Sequence, residues 1–469
     1  MRFDVISIFP EFFAALQLSL VGKAQEKGIL DIGIHNLRDF TSDIHRTVDD
    51  TPCGGGAGMV MKADIWGKAI DYVLAENSGD SALAENSSLR PVLAIPTPGG
   101  KQLKQADCHR LAKSSQVIVA CGRYEGIDAR MAQYYGQSSQ VEVFEYSLGD
   151  YVLNGGEVAA IALIEAVARL VPGMVGNPES LTEESYGAAG LLEYPVYTRP
   201  LEFRGLAVPE VLLSGNHQKV RQWRRGQALR KTAQLRPDLI RALAREQLEK
   251  DDLRQLAAAG WFLAADSEKY PHLQQIEFRP ARLEEAKKLA DFASQTFPDA
   301  CPPGMRPDSI ASFIAENLSE SCFRDYLNDE TRRVLVACTD TGEIAAYSLV
   351  IIPRAAGVAN IEEGAPVDFV VDGIPREGPL LYLSKLYLGK PWRGSGLCQQ
   401  FLKAVLADAA AQCREWPEPY IWLGTNQTNK RAQRAYKKVG FLLSGQRVFF
   451  VGDESNKDIT MVRRLNMTN

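Results

Sequence analysis

Four glycine-rich segments in the first half of the chain have the residue types needed to hold a small ligand. They are TPCGGGAG (51–58), PTPGG (96–100), ACGRYEGID (120–128) and SLGDYVLNGG (147–156). Glycine lets a backbone approach a ligand closely and adopt positive φ. The last segment lacks the G-x-G-x-x-G spacing of a dinucleotide loop. The set therefore predicts a different small ligand, held largely by backbone groups.

Short apolar strands must position these segments. The strand candidates are FDVISIF (3–9), LDIGIHNL (30–37), PVLAIP (91–96), QVIVACG (116–122) and VEVFEYSLG (141–149). Strands that alternate with helices predict an α/β domain with a parallel sheet. Because the carboxyl ends of parallel strands meet at one edge, three of the glycine-rich loops should converge on one crevice.

Composition narrows the class of protein. The chain has 469 residues, which favours two or three domains, and a net charge of -5, so any nucleic-acid surface must be a local basic patch. The eight cysteines include no C-x-x-C pair, and the five histidines lack metal-ligand spacing. We therefore expect no metal site, reduced thiols and a cytoplasmic location. We also expect no membrane span and no secretion signal.

The pattern changes twice along the chain. Residues 176–189 predict a flexible linker, 190–262 a small helical domain, and 263–275 a second linker. From 276 to 469 an α+β domain with a largely antiparallel sheet is expected, including a hairpin around the DTGE turn.

The first half resembles a known family. GRYEGID, SLGDYVLNGGE, YTRP (197–200) and LLSGNH (212–217) closely resemble bacterial tRNA (guanine-N1)-methyltransferases of the SPOUT class, over about residues 1–250. The resemblance implies a trefoil-knot domain over 1–175 and an obligate homodimer whose active site is shared between subunits. It also implies methylation of N1 of the guanine immediately 3′ of the anticodon in tRNA, with S-adenosylmethionine as donor.

The resemblance also identifies the cofactor residues. The implied S-adenosylmethionine site comprises Thr97, Pro98, Gly100, Gly122, Tyr124, Glu125, Leu148, Gly149, Asp150, Tyr151, Val152, Leu153, Gly155 and Gly156. Backbone groups of the last segment would read the adenine edge.

Methylation at guanine N1 needs a base for the N1 proton and a cation for the charge that builds on O6. The family match assigns these roles to Glu184 and Arg169. The family commonly has Asp at the position of Glu184, so the neighbouring Glu183 and Glu193 stay open as alternatives. A linker of solvated acids is the other interpretation of this segment.

A basic segment, HQKVRQWRRGQALRKTAQLR (217–236), follows in the helical domain and contains no acid. Lys219, Arg221, Arg224 and Arg225 are the candidate tRNA contacts, with Asn216 as helix N-cap. A helix with a solvated basic face is the alternative.

The second half resembles the GCN5-related N-acetyltransferase (GNAT) superfamily. LYLGKPWRGSGLCQQFL (386–402) resembles its R-x-x-G-x-G/A loop, and NQTNKRAQRAYKKVGF (426–441) its N-x-x-A…Y-x-x-x-G-F segment. The resemblance implies acetyl-CoA bound by Arg393, Gly394, Gly396 and Asn429. It further implies that Tyr436 protonates the departing thiolate, although a core aromatic is the alternative role.

Neither resemblance identifies the acetyl acceptor, an amine of unknown identity. An acetyltransferase-like half that only binds or regulates is the second hypothesis for this region. A requirement for Mg²⁺ is also left open.

Overall fold

A computed structural model describes residues 1–77, 90–175, 184–187, 189–353, 369–371, 374–376 and 379–465. The chain divides into two compact units, residues 1–188 and 189–469. The linker expected at 176–189 lies largely outside the described residues.

The first unit alternates strands and helices. Its strands are β1 (Arg2–Ser7), β2 (Asp31–Asn36), β3 (Asp49–Asp50), β4 (Val60–Met61), β5 (Val92–Gln102), β6 (Gln116–Ala120) and β7 (Glu142–Ser147). Its α-helices are α1 (Ser19–Glu26), α2 (Ala63–Asn77), α3 (Gln105–Leu111), α4 (Ala129–Gly136) and α5 (Glu157–Ala168).

Five of these strands form a parallel sheet in the order β2-β1-β6-β5-β7. The sheet is covered on both faces, since alternate residues of β6 join different cores: Val117 and Val119 pack with α5, while Ile118 packs with α2. Burial on both faces explains why these strands are continuous apolar runs. The predicted parallel α/β domain is confirmed.

The second unit begins with helices and continues into a larger sheet. Its strands are β8 (Glu202–Phe203), β9 (Leu206–Ala207), β10 (Trp261–Phe262), β11 (Gln274–Pro280), β12 (Arg332–Thr339), β13 (Ile344–Ile351), β14 (Phe369–Val371), β15 (Ile374–Arg376), β16 (Leu380–Leu388), β17 (Tyr420–Asn426), β18 (Leu442–Val451) and β19 (Glu454–Arg464). Its α-helices are α6 (Glu210–Leu213), α7 (His217–Leu235), α8 (Pro237–Arg241), α9 (Lys250–Ala258), α10 (Ala286–Thr296), α11 (Pro307–Asn317), α12 (Glu320–Asn328), α13 (Leu397–Gln412) and α14 (Lys430–Lys438).

Eight strands form the main sheet in the order β10-β11-β12-β13-β16-β17-β19-β18. Among the described strands of this sheet, only β16 and β17 pair in parallel, and they pair over three residues, from Leu380 to Tyr382 on β16. Helices cover both faces, because Val334 and Val336 of β12 pack with α10 while Leu335 and Ala337 join the core of α13 and α14. The predicted α+β domain with a largely antiparallel sheet is confirmed.

The segment expected to be a linker, 263–275, packs within the second unit. β10 pairs with β11, which makes it the edge strand of the main sheet. Ala264, Tyr270 and Leu273 are buried, and the Ala265 amide donates a hydrogen bond to the Pro391 carbonyl oxygen over 2.6 Å. Because its apolar side chains are buried and its backbone is hydrogen-bonded to the Arg393 loop region, the segment is an integral part of the second unit.

Candidate active sites and nucleic-acid surface

A cavity of about 420 Å³ lies where the loops after β6 and β7 meet β5. Three of the four glycine-rich segments contribute to its wall, as expected for loops at the carboxyl ends of parallel strands. Eleven of the predicted cofactor residues line it: Thr97, Pro98, Gly122, Tyr124, Glu125, Leu148, Tyr151, Val152, Leu153, Gly155 and Gly156.

Three predicted cofactor residues do not line this cavity. Gly100 lies in β5 against the Tyr146 backbone, where an added Cβ would be 2.5 Å from the Tyr146 amide nitrogen. Gly149 lies beside the ring of Tyr151, and Asp150 is exposed to solvent. Gly100 is therefore explained by the close pairing of β5 with β7.

The loops after β6 and β7 cross at Gly156. Its amide donates a hydrogen bond to the Gly122 carbonyl oxygen over 2.9 Å. An added Cβ would be 2.8 Å from Pro96 Cγ and 2.9 Å from Cys121 Cα, which is closer than real Cβ contacts. Only glycine allows this crossing, and the crossing brings the backbone of both loops to the cavity wall.

A charged pair beside this crossing was missed at the sequence level. Glu157, 1% exposed, begins α5 and accepts a hydrogen bond from Ser7 Oγ over 2.7 Å. Arg123, which lines the cavity, places Nε 2.9 Å from the other carboxylate oxygen. The angle makes this a charge contact rather than an aligned hydrogen bond. The available signal was an acid at the first position of a helix, where the helix dipole favours negative charge.

The same buried acid affects its neighbour. Burial, reinforced by the charge of Glu157, raises the pKa of the Cys121 thiol well above its ordinary value. Cys121 is therefore a protonated core residue rather than a nucleophile.

The structure brings the two predicted methyl-transfer residues together. Arg169 donates to both carboxylate oxygens of Glu184, from Nη1 over 2.7 Å and from Nη2 over 2.5 Å. The hydrogen bonds to Glu184 raise the pKa of Arg169, which keeps the guanidinium charged. Neither residue lines the cavity. Glu183 lies outside the described residues, and Glu193 belongs to the second unit.

The four predicted RNA contacts on α7 differ in what they touch. Lys219 and Arg221 are exposed, and the amide of Lys219 is capped by Asn216 Oδ1 over 3.0 Å, which confirms the predicted N-cap. Arg224 stacks its guanidinium 4.9 Å from the ring centre of Tyr194. Arg225 donates to both oxygens of the buried Asp252, from Nη2 over 3.0 Å. Arg225 therefore holds α7 against α9, and Arg224 packs on Tyr194, whereas Lys219 and Arg221 are exposed.

A second cavity, of about 220 Å³, lies in the second unit. Of the predicted coenzyme residues, Arg393, Gly394, Asn429 and Tyr436 line it. Gly396 lies outside the lining and is the N-cap of α13. Gly394 and Gly396 adopt φ of 86° and 90°. Alternating conformations of this kind before a helix N-terminus create a concave row of amides suited to phosphate.

The side chain of Asp299, which the sequence did not single out, pairs with the cations of the Arg393 loop. Asp299 lines the cavity, accepts a hydrogen bond from Arg393 Nη2 over 2.7 Å and lies 3.2 Å from Lys390 Nζ. Although its partial burial acts in the opposite direction, the hydrogen bonds from both cations lower the pKa of Asp299. The carboxylate therefore stays charged and neutralises the cations that a phosphate would need.

Two residues that the resemblance assigns to the coenzyme site, Asn429 and Tyr436, lie at the N-cap and within α14. Asn429 caps the helix, because its Oδ1 accepts a hydrogen bond from the Ala432 amide over 3.1 Å. Tyr436 is buried, and burial raises the pKa of its phenol above its ordinary value. The phenol therefore carries a proton at neutral pH, as a proton donor must.

Within the described residues, no group of three or more His, Cys, Asp or Glu side chains is arranged to hold a metal ion. No helix in this part of the chain is long and apolar enough to cross a membrane.

Known proteins resemble both parts of the chain. Residues 1–242 match the family model described as tRNA (Guanine-1)-methyltransferase TrmD. Residues 295–441 match the Acetyltransferase (GNAT) family.

Three curated relatives are each described as a tRNA (guanine-N(1)-)-methyltransferase. The protein of Arthrobacter sp. (strain FB24) is 54% identical over 261 residues, which cover 56% of this chain and 92% of the relative. That of Bifidobacterium longum subsp. infantis is 51% identical over 266 residues, or 56% of this chain and 97% of the relative. That of Kineococcus radiotolerans is 52% identical over 263 residues, which cover 56% of this chain and 92% of the relative.

Proposed function

Since the chain belongs to the tRNA (guanine-1)-methyltransferase TrmD family, we propose that its first half methylates N1 of the guanine immediately 3′ of the anticodon in tRNA. The observation that carries the proposal is the pairing of Arg169 with Glu184 in the unit that also holds the large loop-lined cavity.

S-adenosylmethionine, the donor implied by the family, suits that cavity. Eleven residues assigned to it by resemblance line the wall, and the crossing at Gly156 leaves loop backbone close enough to contact a ligand. The bound donor would supply an electrophilic methyl group. Tyr124, Leu148 and Leu153 would surround it, with the loop backbone reading its adenine.

The Arg169–Glu184 pair is chemically complementary to guanine. The base presents N1–H, a donor, beside O6, an acceptor. Glu184 would accept the N1 proton, and Arg169 would stabilise the charge that builds on O6. Because Arg169 occupies both oxygens of Glu184, guanine must displace one of these hydrogen bonds to reach the carboxylate.

Neither Arg169 nor Glu184 lines the cavity of the same chain. A homodimer in which the pair of one subunit serves the cavity of the other would explain this, and it remains a prediction. The cytoplasmic location, the trefoil knot and any Mg²⁺ requirement likewise remain predictions.

A methyl-transfer assay tests the proposal. Transcripts of tRNA with guanine immediately 3′ of the anticodon should become methylated at N1, and transcripts with another base there should not. Methylation of both transcripts would refute the assigned position, and methylation of neither would refute the activity.

For the second half, we propose acetyl transfer from acetyl-CoA to an amine. The observation that favours it is the cavity that joins the Arg393 loop to Tyr436. Arg393 and the loop amides would bind the coenzyme diphosphate, and the coenzyme would supply the activated acetyl group. Tyr436, protonated because its pKa is raised, would return a proton to the departing thiolate.

The alternative is an acetyltransferase-like half that binds the coenzyme without turnover. Acetyl-CoA hydrolysis or transfer by residues 189–469, screened against polyamines, peptides and tRNA, separates the two. The fragment starts at 189 because β10 belongs to the main sheet. Coenzyme binding without transfer to any acceptor would favour the binding module.

A further inference from the structure

Helix α14 carries an unusual concentration of positive charge. Its nine residues, KRAQRAYKK, include Lys430, Arg431, Arg434, Lys437 and Lys438 and no acid. All five are exposed. Four of them, Lys430, Arg434, Lys437 and Lys438, have the i, i+4, i+7, i+8 spacing that places side chains on one helix face. These four are called the α14 stripe below.

The α14 stripe forms no ion pair with the carboxylates of the described residues. In the part of the chain that the structure describes, none of its four cations has a carboxylate within ion-pair distance. Lys430 lies four residues from Arg434, and Arg434 four from Lys438, which are repulsive spacings for like charges.

Helix stability explains only part of this stripe. Lys437 and Lys438 in the last turn suit the helix dipole, but Lys430 opposes it from the first turn. A helix that keeps such charges uncompensated is suited to an external anion.

The position of α14 relates the stripe to the candidate RNA helix. Within the second unit, α7 packs against α9, α9 against α13, and α13 against α14. Ala257 of α9, Leu397 of α13 and Tyr436 of α14 share one core. At about 8–10 Å between neighbouring helix axes, α7 and α14 are within about 30 Å of each other. Both are free of acids and rich in exposed cations.

We propose that the α14 stripe binds the phosphate backbone of the same tRNA that α7 contacts. This inference rests on the proposed methylation of tRNA by the first half. A folded RNA is long enough to reach both helices, and its regularly spaced phosphates match a stripe of cations better than a single small anion would.

Coenzyme A also carries phosphates, and it must be distinguished from RNA. Arg431 lines the coenzyme cavity, whereas none of the four stripe residues does. Substitutions in the stripe should therefore affect RNA without affecting the coenzyme.

The test uses the full chain with Lys437→Gln and Lys438→Gln together. Glutamine removes the charge and keeps a good helix former. A matched control is Lys287→Gln with Lys288→Gln, an adjacent exposed lysine pair on α10, which packs on the opposite face of the sheet. Affinity for an unmodified tRNA transcript is measured at several salt concentrations, and affinity for coenzyme A in parallel.

The Lys437/Lys438 variant should bind tRNA about tenfold more weakly at roughly 0.1 M salt. The slope of log affinity against log salt should fall by about two, since each lost phosphate contact contributes about 0.9. Its coenzyme A affinity and thermal midpoint should match those of the wild type, and the control pair should bind tRNA normally.

Unchanged tRNA affinity in the Lys437/Lys438 variant would overturn the inference, and so would an equal loss in the control pair. A loss of coenzyme affinity alone would assign the stripe to the coenzyme instead. If the double variant is poorly folded, Arg434→Gln replaces it with the same expectations at half the change in slope. If the wild-type protein fails to methylate tRNA, the proposed function is refuted. If it methylates tRNA but substitutions in the α14 stripe leave its tRNA affinity unchanged, only this inference is refuted.

Discussion

Replacing Glu184 with glutamine is the sharpest test of the proposed methyl transfer. The change keeps the size of the side chain and removes its charge. In the wild-type protein both oxygens of Glu184 accept hydrogen bonds from Arg169, over 2.7 and 2.5 Å. Glutamine offers one acceptor oxygen, so one of these bonds is lost.

The structural cost of this change should be small. The side chains of Arg169 and Glu184 are 39% and 27% exposed, and ion pairs with this much solvent contact contribute about 0–1 kcal/mol to stability. Loss of a general base costs about 10²–10⁴ in rate, which corresponds to about 2.7–5.4 kcal/mol of activation free energy. The catalytic effect should therefore exceed any structural effect.

Single-turnover methylation, with tRNA and S-adenosylmethionine both saturating, measures the step directly. Glu184→Gln should lower the rate about a hundredfold or more and leave the affinity of both ligands nearly unchanged. Glu184→Asp is the matched control, because it keeps the carboxylate and restores the residue common in the family. It should stay active.

Equal rates for Glu184→Gln and the wild type would exclude Glu184 as the base, and the search would then move to Glu183 and Glu193. A parallel loss in the aspartate variant would mean that side-chain length, rather than charge, controls the reaction.

Three further predictions concern the second unit. Asp299→Asn should tighten coenzyme A several-fold in a calorimetric titration, because the acid competes with phosphate for Arg393; acetyl-pantetheine, which lacks the diphosphate, should bind as before, and equal changes for both ligands would refute this role. Residues 189–469 should unfold cooperatively at a higher temperature than 276–469, which lacks β10, and equal midpoints would contradict the assignment of β10 to the sheet. The hydrogen bond from Arg279 lowers the pKa of Glu285 to about 2, below the ordinary 4.5. The stabilisation that the ionised Glu285 gives the fold is therefore present above about pH 4.5 and is lost as the pH falls toward 2. Glu285→Gln should accordingly make the thermal midpoint depend less on pH between those two values.

Local signals in the sequence were sufficient for most of the fold. β6 could be predicted because five consecutive buried residues, QVIVA, include three of high β propensity. The N-cap at Asn216 could be predicted because capping depends on residues three positions apart. The glycine-rich loops could be predicted to converge because the carboxyl ends of parallel strands share one edge.

The features that the sequence did not reveal depend on partners that are distant in sequence. Arg225 pairs with Asp252, which lies 27 positions away on another helix. Asp299 is 94 positions from Arg393, so no spacing in the sequence connects it with the loop of Arg393. The residue pattern within one segment cannot predict these ion pairs, because they form only when the helices and strands pack together.

The strand β10 shows how two residues can join parts that look separate in sequence. Successive side chains of a strand point to opposite sides: Trp261 packs in the core of the helical segment, and Phe262 in the core beneath α13 and α14. The pairing of β10 also covers the first two residues of β11, Gln274 and Gln275, on what would otherwise be an exposed edge. The helical segment and the main sheet therefore share one compact unit. If α7 binds tRNA and the second cavity binds acetyl-CoA as proposed, both ligands are held in one compact unit, which raises the effective concentration of any acceptor that the RNA carries. Amines borne by tRNA should accordingly be tried as acetyl acceptors before free polyamines or peptides.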